Sequence, residues 1–120
     1  MGGVYGGINS RADFERVLQE ALAIASSMLT GRRNPVIEAV VEQLTWMARA
    51  CGGGREPSAD ERGKVNVGLI AVRELDADRE DDSGLLARKL CALDNYFTEW
   101  PTDEQAGSAT DADFWRRFGL

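Results

Sequence analysis

One stretch near the middle of the chain, residues 65–82, reads VNVGLIAVRELDADREDD. The apolar residues of its first half recur at three- and four-residue spacing: Val65, Leu69, Val72 and Leu75. This spacing predicts one face of a helix that packs in a core. Gly68 lies within this helix although a mid-helix glycine costs up to about 1 kcal/mol relative to alanine, which predicts that a neighbouring helix crosses closely there.

The second half of the stretch is acidic. Six of the nine residues from 74 to 82, here called the acidic segment, carry a carboxylate: Glu74, Asp76, Asp78, Glu80, Asp81 and Asp82. Arg79 is the one basic residue among them. Charged side chains stay in water unless they are paired, so we expect the segment to leave the core and face solvent or a cationic partner.

The composition is that of one acidic domain. A chain of 120 residues is long enough to form a single core. Its 14 basic and 20 acidic residues give a net charge of -6, which repels nucleic acid and anionic membranes and favours a basic protein as partner. Because the N-terminus lacks signal-peptide features and no stretch reaches the length of a membrane span, we expect a cytoplasmic protein.

Helix signals divide the chain into four segments. The expected helices, each with one apolar stripe, cover residues 10–30, 35–51, 58–75 and 83–98. Capping signals open the first three: Ser10, Asn34 followed by Pro35, and Ser58 with Glu61 three residues later. Asp82 or Ser83 is expected to cap the fourth, which must end by Pro101. No segment alternates like a strand, so the sequence predicts an all-α fold, a small antiparallel four-helix bundle with Leu69 and Leu90 in its core.

The ends of the chain lie outside these helices. We expect a flexible glycine-rich lead at 1–9, a helical domain at 10–100 and a C-terminal tail at 101–120. Within the tail, the small and polar residues 102–109 indicate a linker.

An aromatic turn is expected after this linker. Thr110 is placed to cap a short helical turn that carries Phe114, Trp115 and Phe118. One interpretation is that the tail folds back over an open edge of the bundle. In the other, Trp115 forms part of a binding surface, because tryptophan and arginine are favoured at interface hot spots.

Groups that carry chemistry are scarce. The sequence contains no histidine, the commonest general base and metal ligand. Cys51 and Cys91 are too few for a disulfide framework and form no zinc motif, and both fall at apolar helical positions, where a cysteine packs as a small hydrophobe. We therefore expect no catalytic residue, no metal ligand and no cofactor.

Three further features have a structural and a functional interpretation. The run GGGR at 52–55 lacks the preceding strand and the GK[ST] ending of a phosphate loop, so a flexible interhelical loop is favoured. DADREDD, at 76–82, lacks the spacing and the glycine of an EF-hand, so a solvated loop is favoured over a metal site. Trp46 borders the second helix's stripe, and partial burial is favoured over contact with a ligand.

Three blocks of the sequence resemble one known family. They are EQLTWMARA at 42–50, NVGLIAVRELD at 66–76 and LLARKLCALDNYF at 85–97. In particular, Gly68 is followed by an apolar helix, a short acidic stretch and a leucine-containing helix that ends in Tyr96 and Phe97. This pattern resembles the small helical immunity proteins of type VI secretion systems that neutralise an NAD(P)+ glycohydrolase effector. The match covers the middle half of the chain.

The resemblance implies a function without chemistry. Immunity proteins of this kind bind a cognate toxin and cover its active site, and they are acidic where the toxin is basic. A toxin that binds the pyrophosphate of a dinucleotide is expected to present a positive cleft, which an acidic loop suits. We therefore expect the toxin to bind the six carboxylates of the acidic segment, with Trp115 as a secondary contact. The alternative is a helical adaptor or regulatory module without a toxin partner, and an enzyme is the least favoured class.

Overall fold

Six α-helices form the described part of the chain, which in this computed structural model comprises residue 5 and residues 7–31 and 33–108. They are α1 (Arg11–Met28), α2 (Pro35–Ala50), α3 (Ala59–Gly63), α4 (Val67–Glu74), α5 (Asp82–Glu99) and α6 (Asp103–Ser108). None of these residues is in a strand, so the predicted all-α class is confirmed. The longer helices pack against one another in the pairs α1–α2, α1–α5, α2–α4 and α4–α5. Their antiparallel order stays a prediction.

The predicted starts of the first helices are confirmed in atomic detail. The Ser10 hydroxyl accepts a hydrogen bond from the Asp13 backbone N–H at 3.1 Å. The Asn34 side chain accepts from two backbone N–H groups, and Pro35 occupies the first turn of α2. The capping box at the start of α3 is also present, with both of its reciprocal hydrogen bonds. Each cap satisfies backbone donors that a helix start leaves without an intrahelical partner.

The expected third helix, 58–75, is wrong as a single element. It is split into α3 and α4 by residues 64–66, where Asn66 is anchored to α2. Its backbone N–H donates to Oε1 of Gln43 at 2.9 Å, and the side-chain amides of the two residues also form a hydrogen bond. Helix α4 therefore does not continue the helical phase of α3, and the side chains that it buries are Val67 and Ala71.

Because of this break in phase, two residues of the predicted apolar face lie in solvent and not in the core. Leu69 is 48% exposed and Val72 is 74% exposed, so their assignment to the core is wrong. Val65 is buried as expected, and Leu75 packs partly against the core. The close approach predicted at Gly68 is confirmed, because an added Cβ would lie 2.9 Å from Oδ2 of Asp94 in α5.

Aromatic rings form much of the core between α1 and α5. The ring of Tyr96 stacks on that of Phe14, with centroids 4.9 Å apart, and meets Trp100 edge-on at 5.7 Å. Leu90 is fully buried, as predicted. Since α5 carries both Leu90 and Tyr96, this helix is the central element against which α1 and α4 pack.

The segments that flank the helical domain also contact it. Tyr5 and Ile8, within the segment expected to be a flexible lead, are buried, and Tyr5 meets Tyr96 edge-on at 5.6 Å. Helix α6 occupies most of the expected linker 102–109, so that interpretation is wrong. Thr102 and Gln105 form reciprocal hydrogen bonds at its start, a capping box that the sequence analysis missed.

The two cysteines differ in their surroundings. Cys51 is buried, as expected for an apolar position, and this burial raises the pKa of its thiol to about 11. Cys91 is exposed, so the expectation that it packs as a small hydrophobe is wrong. Both are free thiols. Cys51 is therefore protonated at neutral pH and acts as a packing residue.

Candidate functional site

The acidic segment connects α4 to α5. Glu74 is the last residue of α4 and Asp82 is the first residue of α5. All six of its carboxylates are exposed, as predicted for a segment that leaves the core. Trp115, the other predicted contact, and the aromatic turn expected from Thr110 lie outside the described residues. The structure therefore places all six predicted carboxylates in solvent, on the connection between α4 and α5 and at the helix ends that it joins.

Hydrogen bonds fix the path of this connection. The Asp78 backbone N–H donates to Oδ1 of Asp76 at 2.9 Å, and the Arg79 backbone N–H donates to the Asp76 carbonyl at 3.1 Å. The Arg88 guanidinium, in the second turn of α5, donates to the carbonyls of Ala77 and Arg79. A loop with this many anchored backbone groups presents its carboxylates in a defined arrangement, which lowers the entropic cost of binding.

The start of α5 is tied to the same loop. Asp81, and not Asp82 or Ser83 as predicted, caps the helix by accepting from the Gly84 backbone N–H at 3.3 Å. Arg79 pairs with the other oxygen of Asp81 at 2.7 Å. The Arg79 guanidinium, together with the Gly84 N–H, holds the pKa of Asp81 below its usual range. Asp81 is thus an architectural residue of the site.

Most of the segment's charge is left available. Within the described ranges, Glu74, Asp78, Glu80 and Asp82 make no ion pair. None of the described carboxylates and cysteines forms a group of three that would hold a metal ion. These carboxylates can therefore bind guanidinium or ammonium groups of a partner through charge-assisted hydrogen bonds.

Exposed apolar side chains flank the acidic segment. Leu69 and Val72 lie on the outer side of α4, and Leu85, in the first turn of α5, is 38% exposed. Sequence reasoning missed this surface because it continued the apolar stripe from Val65 across the break. Asn66, a residue type favoured at helix starts, was the signal that α4 begins anew.

An open groove lies along α2, away from the acidic segment in sequence. This open groove of about 600 Å³ is lined in part by Trp46, Arg49 and Lys64. Trp46 is partly buried, as predicted, and its ring meets that of Phe97 edge-on at 6.1 Å. Glu42 lies in the same groove, so its charges are of both signs. The groove therefore lacks the predominantly negative charge of the acidic segment.

Comparison with known proteins adds a family assignment to this geometry. The family model described as Tsi6 matches residues 13–99, a span that includes α1 to α5 almost completely and the whole acidic segment. No curated protein and no solved structure matches the chain. None of the helices in the described ranges is both long and apolar enough to cross a membrane. The chain belongs to the Tsi6 family, which is a family of type VI secretion immunity proteins.

Proposed function

We propose that this protein neutralises a toxin with NAD(P)+ glycohydrolase activity by binding it and covering its active site. The observation that carries the proposal is the acidic segment, exposed and fixed in shape, within the span that matches the immunity family. The toxin-binding residues proposed are the six carboxylates of this segment, with Trp115 as a secondary contact.

The chemistry of the toxin's substrate supports this choice of surface. NAD(P)+ carries an anionic pyrophosphate, and an enzyme that binds it needs positive charge or helix N-termini in its cleft. Carboxylates held on an exposed connection offer the same sign of charge to that cleft. Their complementarity speeds the encounter and orients the two proteins before close contacts form.

The proposal assigns no chemistry to the chain itself. The Tsi6 family is a family of immunity proteins and not of enzymes. A binder of this kind acts by excluding the substrate, so it needs neither a cofactor nor a metal. Because the toxin's substrate is a cytoplasmic dinucleotide, the inhibitor is proposed to act in the cytoplasm.

Co-expression tests this function in cells. The cognate toxin domain is expressed with and without the chain, and growth, cellular NAD and complex formation are measured. The proposal expects that the chain restores growth and NAD and is recovered with the toxin. Growth that is restored without any physical complex between the two proteins would contradict it.

A further inference from the structure

The outer side of α4 carries apolar side chains that the fold leaves in solvent. Among the described residues, the large hydrophobic side chains that are exposed are Leu69, Val72 and Leu85, here called the apolar patch. Single exposed apolar side chains are ordinary in soluble proteins, but three that border one loop are less so. All three lie within one to two helical turns of the acidic segment.

The contacts of α4 prevent these side chains from turning inward. The helix is held by the burial of Val67 and Ala71 and by the hydrogen bond from the Gly68 N–H to Asp94 at 2.8 Å. Leu69 and Val72 are three residues apart and both exposed, so they are neighbours on the part of α4 that faces solvent. On α5, Leu85 is three residues from Arg88, whose guanidinium binds the acidic segment.

We propose that the apolar patch is the centre of the toxin-binding surface and that the acidic segment is its rim. This inference rests on the proposed function and adds the chemistry of the partner's surface, which is an apolar recess bordered by lysine or arginine. Protein interfaces commonly combine an apolar, desolvated centre with a charged, solvated rim. The centre limits dissociation, and the rim charges mainly speed association.

Charge argues against a second copy of this chain as the occupant. A twofold dimer uses the same surface on both subunits. It would bring two acidic segments, each with six carboxylates, to one interface. Like charges at an interface are unfavourable, whereas a cationic partner is attracted by the same segment. The apolar patch is therefore better suited to binding a basic partner than to binding a second copy of this chain.

The test removes apolar character and preserves shape. The variant combines Leu69→Asn with Val72→Thr, and the control is Val36→Thr, at a partly buried valine in the first turn of α2. Association and dissociation rate constants are measured against the cognate toxin domain, at low and at physiological salt. We expect dissociation to become at least about tenfold faster, as loss of central interface contacts generally produces, with little change in association. The control is expected to dissociate at the wild-type rate.

Each outcome is decisive. Unchanged dissociation of the variant, with wild-type binding intact, would overturn the apolar patch and leave the proposed function standing. Absence of binding by the wild-type chain would overturn both. A wild-type dimer that the variant converts to a monomer, with unaltered toxin binding, would assign the patch to self-association and also overturn the inference. Thermal unfolding is expected to change little, because Val72 is exposed and Leu69 is half-exposed, and this measurement separates lost contacts from lost folding.

Discussion

Gly68 donates its backbone N–H to Oδ2 of Asp94 at 2.8 Å, and a Cβ on residue 68 would lie 2.9 Å from the same oxygen. This contact joins α4 to α5 and sets the rotation of α4. It explains why a glycine stands in a helix where alanine has the better intrinsic propensity. It also determines which side of α4 faces solvent, and so links the packing of the core to the proposed binding surface.

The first prediction concerns this pair. Gly68→Ala is expected to destabilise the protein by about 1 kcal/mol, because displacement of Asp94 costs more than the gain in helix propensity. With Asp94→Ala already present, the contacts of the added methyl with Oδ2 and Cγ are gone and the 3.1 Å contact with the Cβ of residue 94 remains, so Gly68→Ala is expected to cost clearly less than in the wild-type background. Urea unfolding of the four proteins in this cycle measures both effects. Equal effects in the two backgrounds would show that the contact does not constrain residue 68.

The second prediction concerns the connection between the acidic segment and α5. A Cβ on Gly84 would lie 1.9 Å from the Arg79 carbonyl oxygen, and backbone atoms cannot move away as a side chain can. Gly84→Ala is therefore expected to destabilise the protein by about 1–3 kcal/mol and to distort the acidic segment. Gly63→Ala is the control, because open space surrounds that position. Urea unfolding that ranks the two substitutions as equal would contradict this.

The third prediction tests the rim charges. Asp78→Lys with Glu80→Lys is expected to slow association with the toxin at low salt, and the effect is expected to fade at higher salt, where screening acts over about 8 Å or less. Asp81 is avoided because it caps α5. The control reverses Glu15 and Glu42, exposed residues of α1 and α2, and so changes the net charge equally. If both double variants slowed association alike, net charge and not the acidic segment would steer the encounter.

The fourth prediction concerns pH. The pKa of Asp81 is lowered in the folded protein, first by the hydrogen bond from Arg79 and then by the Gly84 N–H. The ionised carboxylate therefore contributes stability above its ordinary pKa, and this contribution is lost as the pH falls through the lowered value. The melting temperature of Asp81→Asn is expected to be below that of the wild type at neutral pH, with a difference that shrinks below about pH 4. A constant difference across this range would assign the effect to the cap alone.

How far the sequence predicts this fold depends on the range of each interaction. Ser10, Asn34 and Ser58 were identified as caps because a cap depends on residues within one helical turn. The break before α4 depends on Gln43, which lies 23 residues from Asn66, and single-segment periodicity does not contain that contact. The wrong core assignment of Leu69 and Val72 follows directly from it.

Some features of the candidate site follow from the sequence, and others depend on tertiary contacts. Composition alone predicted that the six carboxylates would be exposed, because no core of this size can bury them. The fixed shape of the acidic segment depends on Gly84 against Arg79 and on Arg88 against the loop carbonyls, which are tertiary contacts. The apolar patch became visible only when the rotation of α4 was known.

The proposed inhibition is measured by the hydrolysis of NAD(P)+ by the purified toxin domain, titrated with this protein. We predict that activity falls in proportion to the added chain and reaches zero near one equivalent. The Asp78→Lys, Glu80→Lys variant is expected to require more protein at low salt for the same inhibition. Full toxin activity in the presence of excess wild-type chain would show that the protein does not inhibit this enzyme.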